Sequence, residues 1–128
     1  MKRQLFYILF FLIPFSLQAQ TAQVGTCMTK DGGSYRGEMV GGRPHGKGTC
    51  QYRTGDVYEG EFVKGQRNGY GTYTFSDGER YEGQWFRNQQ HGKGTFYFMN
   101  KNKYVGFWYK DYQEGEGTMY YYNGDVYD

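Results

Sequence analysis

The residues of this sequence that could carry out chemistry are two histidines and a group of carboxylates. His45 and His91 each precede a glycine and could bind a metal ion if the fold brought them together. Two facing carboxylates could hydrolyse a glycosidic bond, and the candidates are Glu38, Glu59, Glu61, Glu79 and Glu82. Whether any two of these side chains can meet depends on the secondary-structure elements that hold them, and the arrangement of those elements follows from a sequence repeat.

Tyrosines recur every 23 residues, and nearly all of the intervening sequence repeats with them. A fixed period of this length is typical of an array whose units stack on their neighbours instead of folding around one central core. Each unit begins with a tyrosine, continues to a Gly-x-Gly step followed by threonine, and closes on residues that tolerate positive φ, as tight turns demand. The tyrosines are Tyr35, Tyr58, Tyr81, Tyr104 and Tyr127, and the threonines are Thr49, Thr72, Thr95 and Thr118.

Apolar and polar residues alternate within each unit, and this period of two predicts β-strands. Tyr58, Gly60 and Phe62 share one face of their strand, and Glu59 and Glu61 share the other. One unit is therefore a two-stranded hairpin with one aromatic face, and hairpins in series cover one another's large side chains. The sequence predicts an all-β fold, an elongated single antiparallel sheet of tandem β-hairpins.

The pattern Y-x-G-x-[FW], followed by G-x-G and threonine, resembles the MORN repeat family over residues 25–127. The resemblance implies a sheet of hairpins that acts as a scaffold for proteins or membranes, sometimes fused to an enzymatic domain, and nothing in this sequence looks like such a domain. The predicted units are a half repeat at 20–34 and repeats at 35–57, 58–80, 81–103 and 104–128, the last including the start of an incomplete fifth. Two departures fall in turns, where Asn88 replaces glycine or aspartate and Lys101 replaces glycine.

Residues 1–19 are a different kind of sequence. A basic start, Lys2-Arg3, precedes an apolar run from Leu5 to Leu17, and a small residue suited to cleavage follows. The run is shorter than the ~20 residues that a transmembrane helix needs. We therefore predict a cleaved signal peptide and an exported protein, periplasmic or secreted, over an uncleaved anchor. A lipoprotein would need a cysteine directly after the run, and Cys27 lies well beyond it in repeat register.

Removal of the signal segment changes the charge of the chain. The formal net charge falls from +2 to zero, because 15 basic side chains become 13, against 13 acidic ones. No block of basic residues remains, which argues against binding of nucleic acid or of anionic lipid by charge.

The repeat also separates the candidate catalytic groups. His45 and His91 lie two units apart, ~20 Å at the usual strand spacing, and cannot share a metal ion, so we expect them in turns. Ser34 and Ser76 have no histidine at an equivalent place. The Gly-x-Gly steps precede strands, whereas a phosphate loop precedes a helix. The sequence predicts no enzymatic activity, catalytic residue, metal site or cofactor.

Two further groups are expected to be structural. Cys27 and Cys50 occupy the same column of adjacent units, with one strand between theirs, so ~10 Å separates them, more than the ~7 Å that a disulfide allows. We expect packed free thiols, although an irregular half repeat would permit the bond. The following carboxylates are expected on a solvated face beside Arg36 and Arg80: Glu38, Glu59, Glu61, Glu79 and Glu82.

The face opposite the rings changes from polar to apolar toward the C-terminus. Clustered exposed apolar residues mark interfaces, and we hypothesise that six of them bind a partner, a second copy of the chain or a carbohydrate. The six residues, called the C-terminal patch below, are Tyr97, Met99, Val105, Phe107, Tyr120 and Tyr122. The alternative is a capping role, since terminal units of arrays are often modified and Tyr127 begins a fifth copy with an open edge.

Two functions of different classes remain. The first is an exported, non-catalytic scaffold that binds a protein, with self-association through the C-terminal edge or a membrane surface as other targets. The second is an aromatic-rich carbohydrate or cell-wall binding module. Choline-binding repeats look similar, but they are rich in tryptophan, and this chain has only Trp85 and Trp108, both in the predicted ring column. That difference favours the scaffold.

Overall fold

A computed structural model of the protein describes residues 23–128, in which ten strands form one antiparallel sheet in sequence order. The prediction of an all-β sheet of tandem hairpins is confirmed for these residues, whereas the predicted signal segment lies outside them. The described part of the chain forms no helix long and apolar enough to cross a membrane. The strands are β1 (Gln23–Met28), β2 (Ser34–Val40), β3 (Arg43–Gln51), β4 (Val57–Val63), β5 (Gln66–Thr74), β6 (Arg80–Phe86), β7 (Gln89–Tyr97), β8 (Lys103–Tyr109), β9 (Tyr112–Tyr120) and β10 (Val126–Tyr127).

The two strands of each full unit are joined by a two-residue loop with positive φ at both positions. This conformation is that of a type I′ turn, whose twist matches the right-handed twist of the flanking strands. Asn88 adopts φ 69°, close to the 73° of Asp111 and the 77° of Gly42. The replacement of glycine by asparagine therefore leaves the turn type unchanged, because asparagine enters the left-handed region more readily than most residues.

A longer loop joins each unit to the next. In the loop after β3, the amide of Tyr52 donates to the carbonyl of Asp56 at 2.9 Å and the amide of Gly55 donates to the carbonyl of Tyr52 at 3.0 Å. The loop after β7 keeps the same pair of hydrogen bonds, with Lys101 in place of the glycine at φ 71°. Lysine therefore holds a backbone conformation that glycine would adopt without strain.

The core lies on one face of the sheet, called the inner face, where the tyrosine that opens each unit lies against two glycines. Gly60 and Gly71 face each other on paired strands, and a Cβ atom on Gly71 would overlap the ring of Tyr58. Tyr58 is 0% exposed, and the rings of Phe62 and Trp85 meet it edge-on at 5.1 and 5.3 Å. Trp85 belongs to the next unit, so this packing joins neighbours. The buried core consists of Tyr35, Cys50, Tyr58, Phe62, Tyr81, Trp85, Tyr104 and Trp108.

The two cysteines are free, as expected from their columns. Cys27 of β1 and Cys50 of β3 both pair in register with Tyr35 of β2, from its two sides. One strand therefore separates them. Cys50 is fully buried in the inner face and behaves as a small apolar side chain.

A methyl group on a glycine beneath a tyrosine ring is expected to destabilise the array. Gly71→Ala should lower the free energy of unfolding by about 1–3 kcal/mol, because the Tyr58 ring already fills the space. Urea denaturation measures the loss. Thr74→Ala, an exposed position on the same strand, is the control and should change stability by less than about 0.5 kcal/mol. Equal effects of the two substitutions would contradict the ring-over-glycine packing.

Replacing the lysine in the loop after β7 with glycine is expected to stabilise the array. Lys101→Gly should raise the free energy of unfolding by about 1 kcal/mol, because glycine lacks the Cβ atom that disfavours positive φ. Gly78→Lys, at the same loop position one unit earlier and with φ 100°, should lower it by a similar amount. The two changes can be compared by thermal denaturation, and a stabilising Gly78→Lys would show that this loop is not under backbone strain.

Candidate functional site

Two tyrosines of the C-terminal patch belong to a row of rings and cations that crosses the outer face, the face opposite the core. Arg80, Tyr97, Lys103 and Tyr120 are successive cross-strand partners on β6, β7, β8 and β9. The guanidinium carbon of Arg80 lies 4.1 Å from the centre of the Tyr97 ring, and Nζ of Lys103 lies 5.1 Å from that of Tyr120. Each tyrosine of the row therefore meets a cation.

The other patch residues surround this row unequally. Val105 and Phe107 follow Lys103 on the outer face of β8, and Phe107 is 51% exposed. Met99 and Tyr122 lie in the loops beyond β7 and β9 and are 62% and 70% exposed. The structure thus brings Tyr97, Val105, Phe107 and Tyr120 onto one strand-borne face and leaves the other two in the loops at its end.

The cations of the patch were not included in the sequence-based interpretation, which considered apolar residues alone. Lys103 immediately precedes the core residue Tyr104, so simple alternation places it on the outer face. Lys101 Nζ lies 5.6 Å from the ring centre of Tyr122, and Arg80 is also paired with Glu82 at 3.2 Å. The aromatic residues of the patch therefore have cations beside them.

Some carboxylates expected only as solvated charges bind the backbone. Oε1 of Glu38 accepts a hydrogen bond from the amide of Lys47 at 2.6 Å, and Oε1 of Glu61 accepts one from the amide of Tyr70 at 2.6 Å. Both acceptors stand where the strand register shifts, so they satisfy amides that the ladder leaves unpaired. Oε1 of Glu61 is therefore engaged by the backbone of its own sheet. Glu59 is exposed, as expected.

The third unit uses an amide for the same purpose, and the fourth does not. Gln84 Oε1 accepts from the amide of Lys93 at 3.1 Å, whereas Phe107 occupies the equivalent position in β8 and has no acceptor atom. Phe107 pairs in register with Glu114 instead. The Phe107 side chain therefore makes no hydrogen bond to the backbone, unlike its counterparts, and its ring is exposed on the outer face.

The histidines lie on strands, which corrects the expectation that they occupy turns. His45 is in β3, and its Nδ1 accepts a hydrogen bond from the amide of Lys64 at 3.2 Å. His91 is in β7, with its ring 5.6 Å from that of Phe86 and 5.2 Å from that of Tyr109. Three strands separate β3 from β7. Among residues 23–128 there is no group of three side chains that could hold a metal ion.

A buried arginine on the inner face was missed by the sequence analysis. The Arg67 side chain is 12% exposed, and its guanidinium carbon lies 5.0–5.9 Å from the centres of four rings. These rings are Tyr52, Tyr58, Tyr73 and Trp85, and they form the Arg67 cage. One feature of the sequence could have revealed this arginine: it is a cation on a strand face that is otherwise apolar.

Hydrogen bonds hold the arginine within its cage. Arg67 Nη1 donates to the Tyr52 hydroxyl at 2.6 Å and to Asp31 Oδ2 at 3.2 Å, and Nη2 donates to the carbonyl of Asn88 at 2.8 Å. Asp31 lies in the turn between β1 and β2. The half repeat is therefore tied directly to the second unit.

The family description "MORN repeat" matches residues 35–57, 58–80, 81–103 and 104–126. The chain belongs to the MORN repeat family. The matched units coincide with the hairpins described above, from β2 to the start of β10. No curated protein matches this MORN array. The half repeat that supplies β1 lies ahead of the matched residues and extends the same sheet.

Burial changes the acidity of the core tyrosines of the MORN array. It raises the pKa of Tyr35 to about 12, and it also raises the pKa of Tyr58 and Tyr81 above the usual range. The hydroxyls of all three donate to backbone carbonyls within their own units, at 2.6–2.9 Å. The cause is desolvation, because the phenolate loses more hydration than the neutral phenol when it is buried.

The array should therefore lose stability in alkali. An unfolded tyrosine ionises near pH 10 and the buried ones retain their protons, so above about pH 10 the unfolded state binds fewer protons and is favoured. Urea denaturation at a series of pH values should show a nearly constant free energy of unfolding between about pH 7 and pH 9 and a steep fall above about pH 10. Tyr58→Phe, which keeps the ring without the hydroxyl, should show a shallower fall. Constant stability through this range would contradict the assignment.

Proposed function

We propose that this MORN array is an exported, non-catalytic scaffold that binds a protein partner through the C-terminal patch. The observation that carries the proposal is the row of Arg80, Tyr97, Lys103 and Tyr120 on the outer face. The core needs none of these side chains, since its rings lie on the other face of a single-layered sheet.

The composition of this row suits a protein interface. Tyrosine and arginine carry a large share of the binding energy in protein complexes. Tyrosine buries a large area with few rotatable bonds lost, and the planar guanidinium of arginine stacks on rings and pairs with carboxylates. The cation and ring pairs are partly exposed, and a partner that excluded water from them would strengthen their attraction. Exposed Phe107 extends the apolar part of the surface.

Export and the lack of catalysis are supported by different residues. Lys2, Arg3 and the apolar run that follows them support export by a signal peptide. Glu61 and His45 bind backbone amides in their own sheet. These contacts are those of structural side chains and support a role without catalysis.

The proposal predicts loss of binding when the row is interrupted. Tyr97→Ser with Tyr120→Ser should weaken partner binding by about tenfold or more, because each tyrosine contributes on the order of 1 kcal/mol at an interface centre. Thr74→Ser with Gln51→Ser changes the same row on β5 and β3 and is the matched control. The partner is identified by cross-linking to the mature protein in its native compartment, and its affinity is then measured by calorimetry with purified components.

Several outcomes would distinguish the proposal from its alternatives. Unchanged affinity in the double variant would remove the patch as the binding site. Saturable binding to a glycan, with no protein cross-linked, would favour a carbohydrate module instead. Light scattering that showed a dimer, lost in the double variant and kept in the control, would identify the partner as a second copy of the chain.

A further inference from the structure

The inner face contains a second cage built like the Arg67 cage and displaced by one repeat. The four rings of the Arg67 cage correspond, one unit later, to Phe75, Tyr81, Phe96 and Trp108. Trp108 lies 5.2 Å from Tyr81 at 82° and 6.0 Å from Phe96 at 33°. These four rings form what we call the open cage.

The Arg67 cage has nearly the same ring geometry. Trp85 lies 5.3 Å from Tyr58 at 85° and 5.7 Å from Tyr73 at 33°. Tyr52 lies 5.9 Å from Tyr73, compared with 5.8 Å between Phe75 and Phe96 in the open cage. That last pair meets at 27° in the Arg67 cage and at 43° in the open cage, so the two cages present a similar arrangement of π faces.

The open cage lacks the cation that fills its counterpart. Gln90 stands at the position of Arg67 and is 6% exposed, but its side chain is shorter and neutral. A groove of about 400 Å³ runs across the two cages. Its lining includes Phe75, Phe96, Trp108 and Gln90 from the open cage, and Tyr73 and Trp85 from the Arg67 cage. This volume lies within the range of ligand sites in proteins.

The charge at the open cage also suits a cation. Asp111 stands where the Arg67 cage has Asn88, and it lines the groove. Its Oδ1 accepts from the amide of Gln90 at 2.8 Å, and Oδ2 has no hydrogen-bond partner among residues 23–128. Arg67 lines the other end of the groove, but Asp31 balances its charge at 3.2 Å. The exposed carboxylate of Asp111 therefore places a negative charge with one free oxygen at the edge of the groove, where a positive group could reach it.

We propose that the open cage binds an arginine side chain from an extended segment of a partner protein, in the place that Arg67 occupies one unit earlier. Arginine fits better than lysine, because a planar guanidinium can stack on rings and hydrogen-bond to a carboxylate at the same time. The groove is open along the sheet and larger than a guanidinium, so it leaves room for the peptide backbone. This site is on the inner face and is independent of the C-terminal patch.

The probe is the capped tripeptide acetyl-Gly-Arg-Gly-amide, titrated into the intact protein and followed by nuclear magnetic resonance. We expect saturable shifts of the Trp108 indole and the Gln90 side-chain amide, with affinity in the millimolar range for so small a ligand. The matched peptides contain lysine or glutamine in place of arginine. The lysine peptide should bind at least threefold more weakly, and the glutamine peptide should produce no saturable shift.

Two variants and a control complete the test. Gln90→Arg should fill the open cage from within and reduce affinity for the arginine peptide at least tenfold, with the fold retained because Arg67 occupies the same place in the preceding unit. Asp111→Asn, which copies Asn88, should weaken binding about fivefold and reduce its dependence on salt. Gln113→Arg, in the same column of the fourth unit and exposed, should leave affinity unchanged. Equal shifts with the glutamine peptide, or full binding by Gln90→Arg, would overturn the proposal.

Discussion

Every full unit of this MORN array depends on a tyrosine ring that lies against two glycines facing each other on paired strands. The glycines leave the space that the ring fills, and the ring then meets a phenylalanine or tryptophan edge-on from its own or a neighbouring unit. Because Tyr35, Tyr58 and Tyr81 each contact a ring of the next unit, stability comes from neighbours, as expected of a repeat protein without a central core. A single hairpin would leave half of these ring contacts unmade.

A single-layered sheet concentrates its packing on one face and leaves the other face available. In the first three units a glutamate or glutamine on the outer face satisfies a backbone amide beside the register shift. The fourth unit has Phe107 there, and the rings of Tyr97 and Tyr120 lie with their cations on the same face, on either side of Lys103. Toward the C-terminus, the outer face therefore changes from side chains that accept backbone hydrogen bonds to exposed aromatic rings.

The inner face shows how one column of residues can alter a unit without altering the fold. Arg67 fills its cage and ties the second unit to the half repeat through Asp31, while Gln90 leaves the next cage open beside Asp111. The rings around both positions have nearly the same arrangement. A repeat array can therefore keep its packing constant and vary its binding chemistry at single positions, since function depends on sites and not on the fold.

The sequence by itself determined the strands, their order and the face that holds the core, because a period of two within a longer repeat leaves only one register that buries every tyrosine. It also predicted the six residues of the C-terminal patch, of which the structure places Met99 and Tyr122 in loops. The tertiary structure decided which polar groups meet. The contact of Asp31 with Arg67, the capping of amides by Glu38 and Glu61, and the carboxylate of Asp111 beside an open cage all join residues of different strands across register shifts and turns. Alternation along one strand carries no information about such distances, so these contacts could be read only from the folded chain.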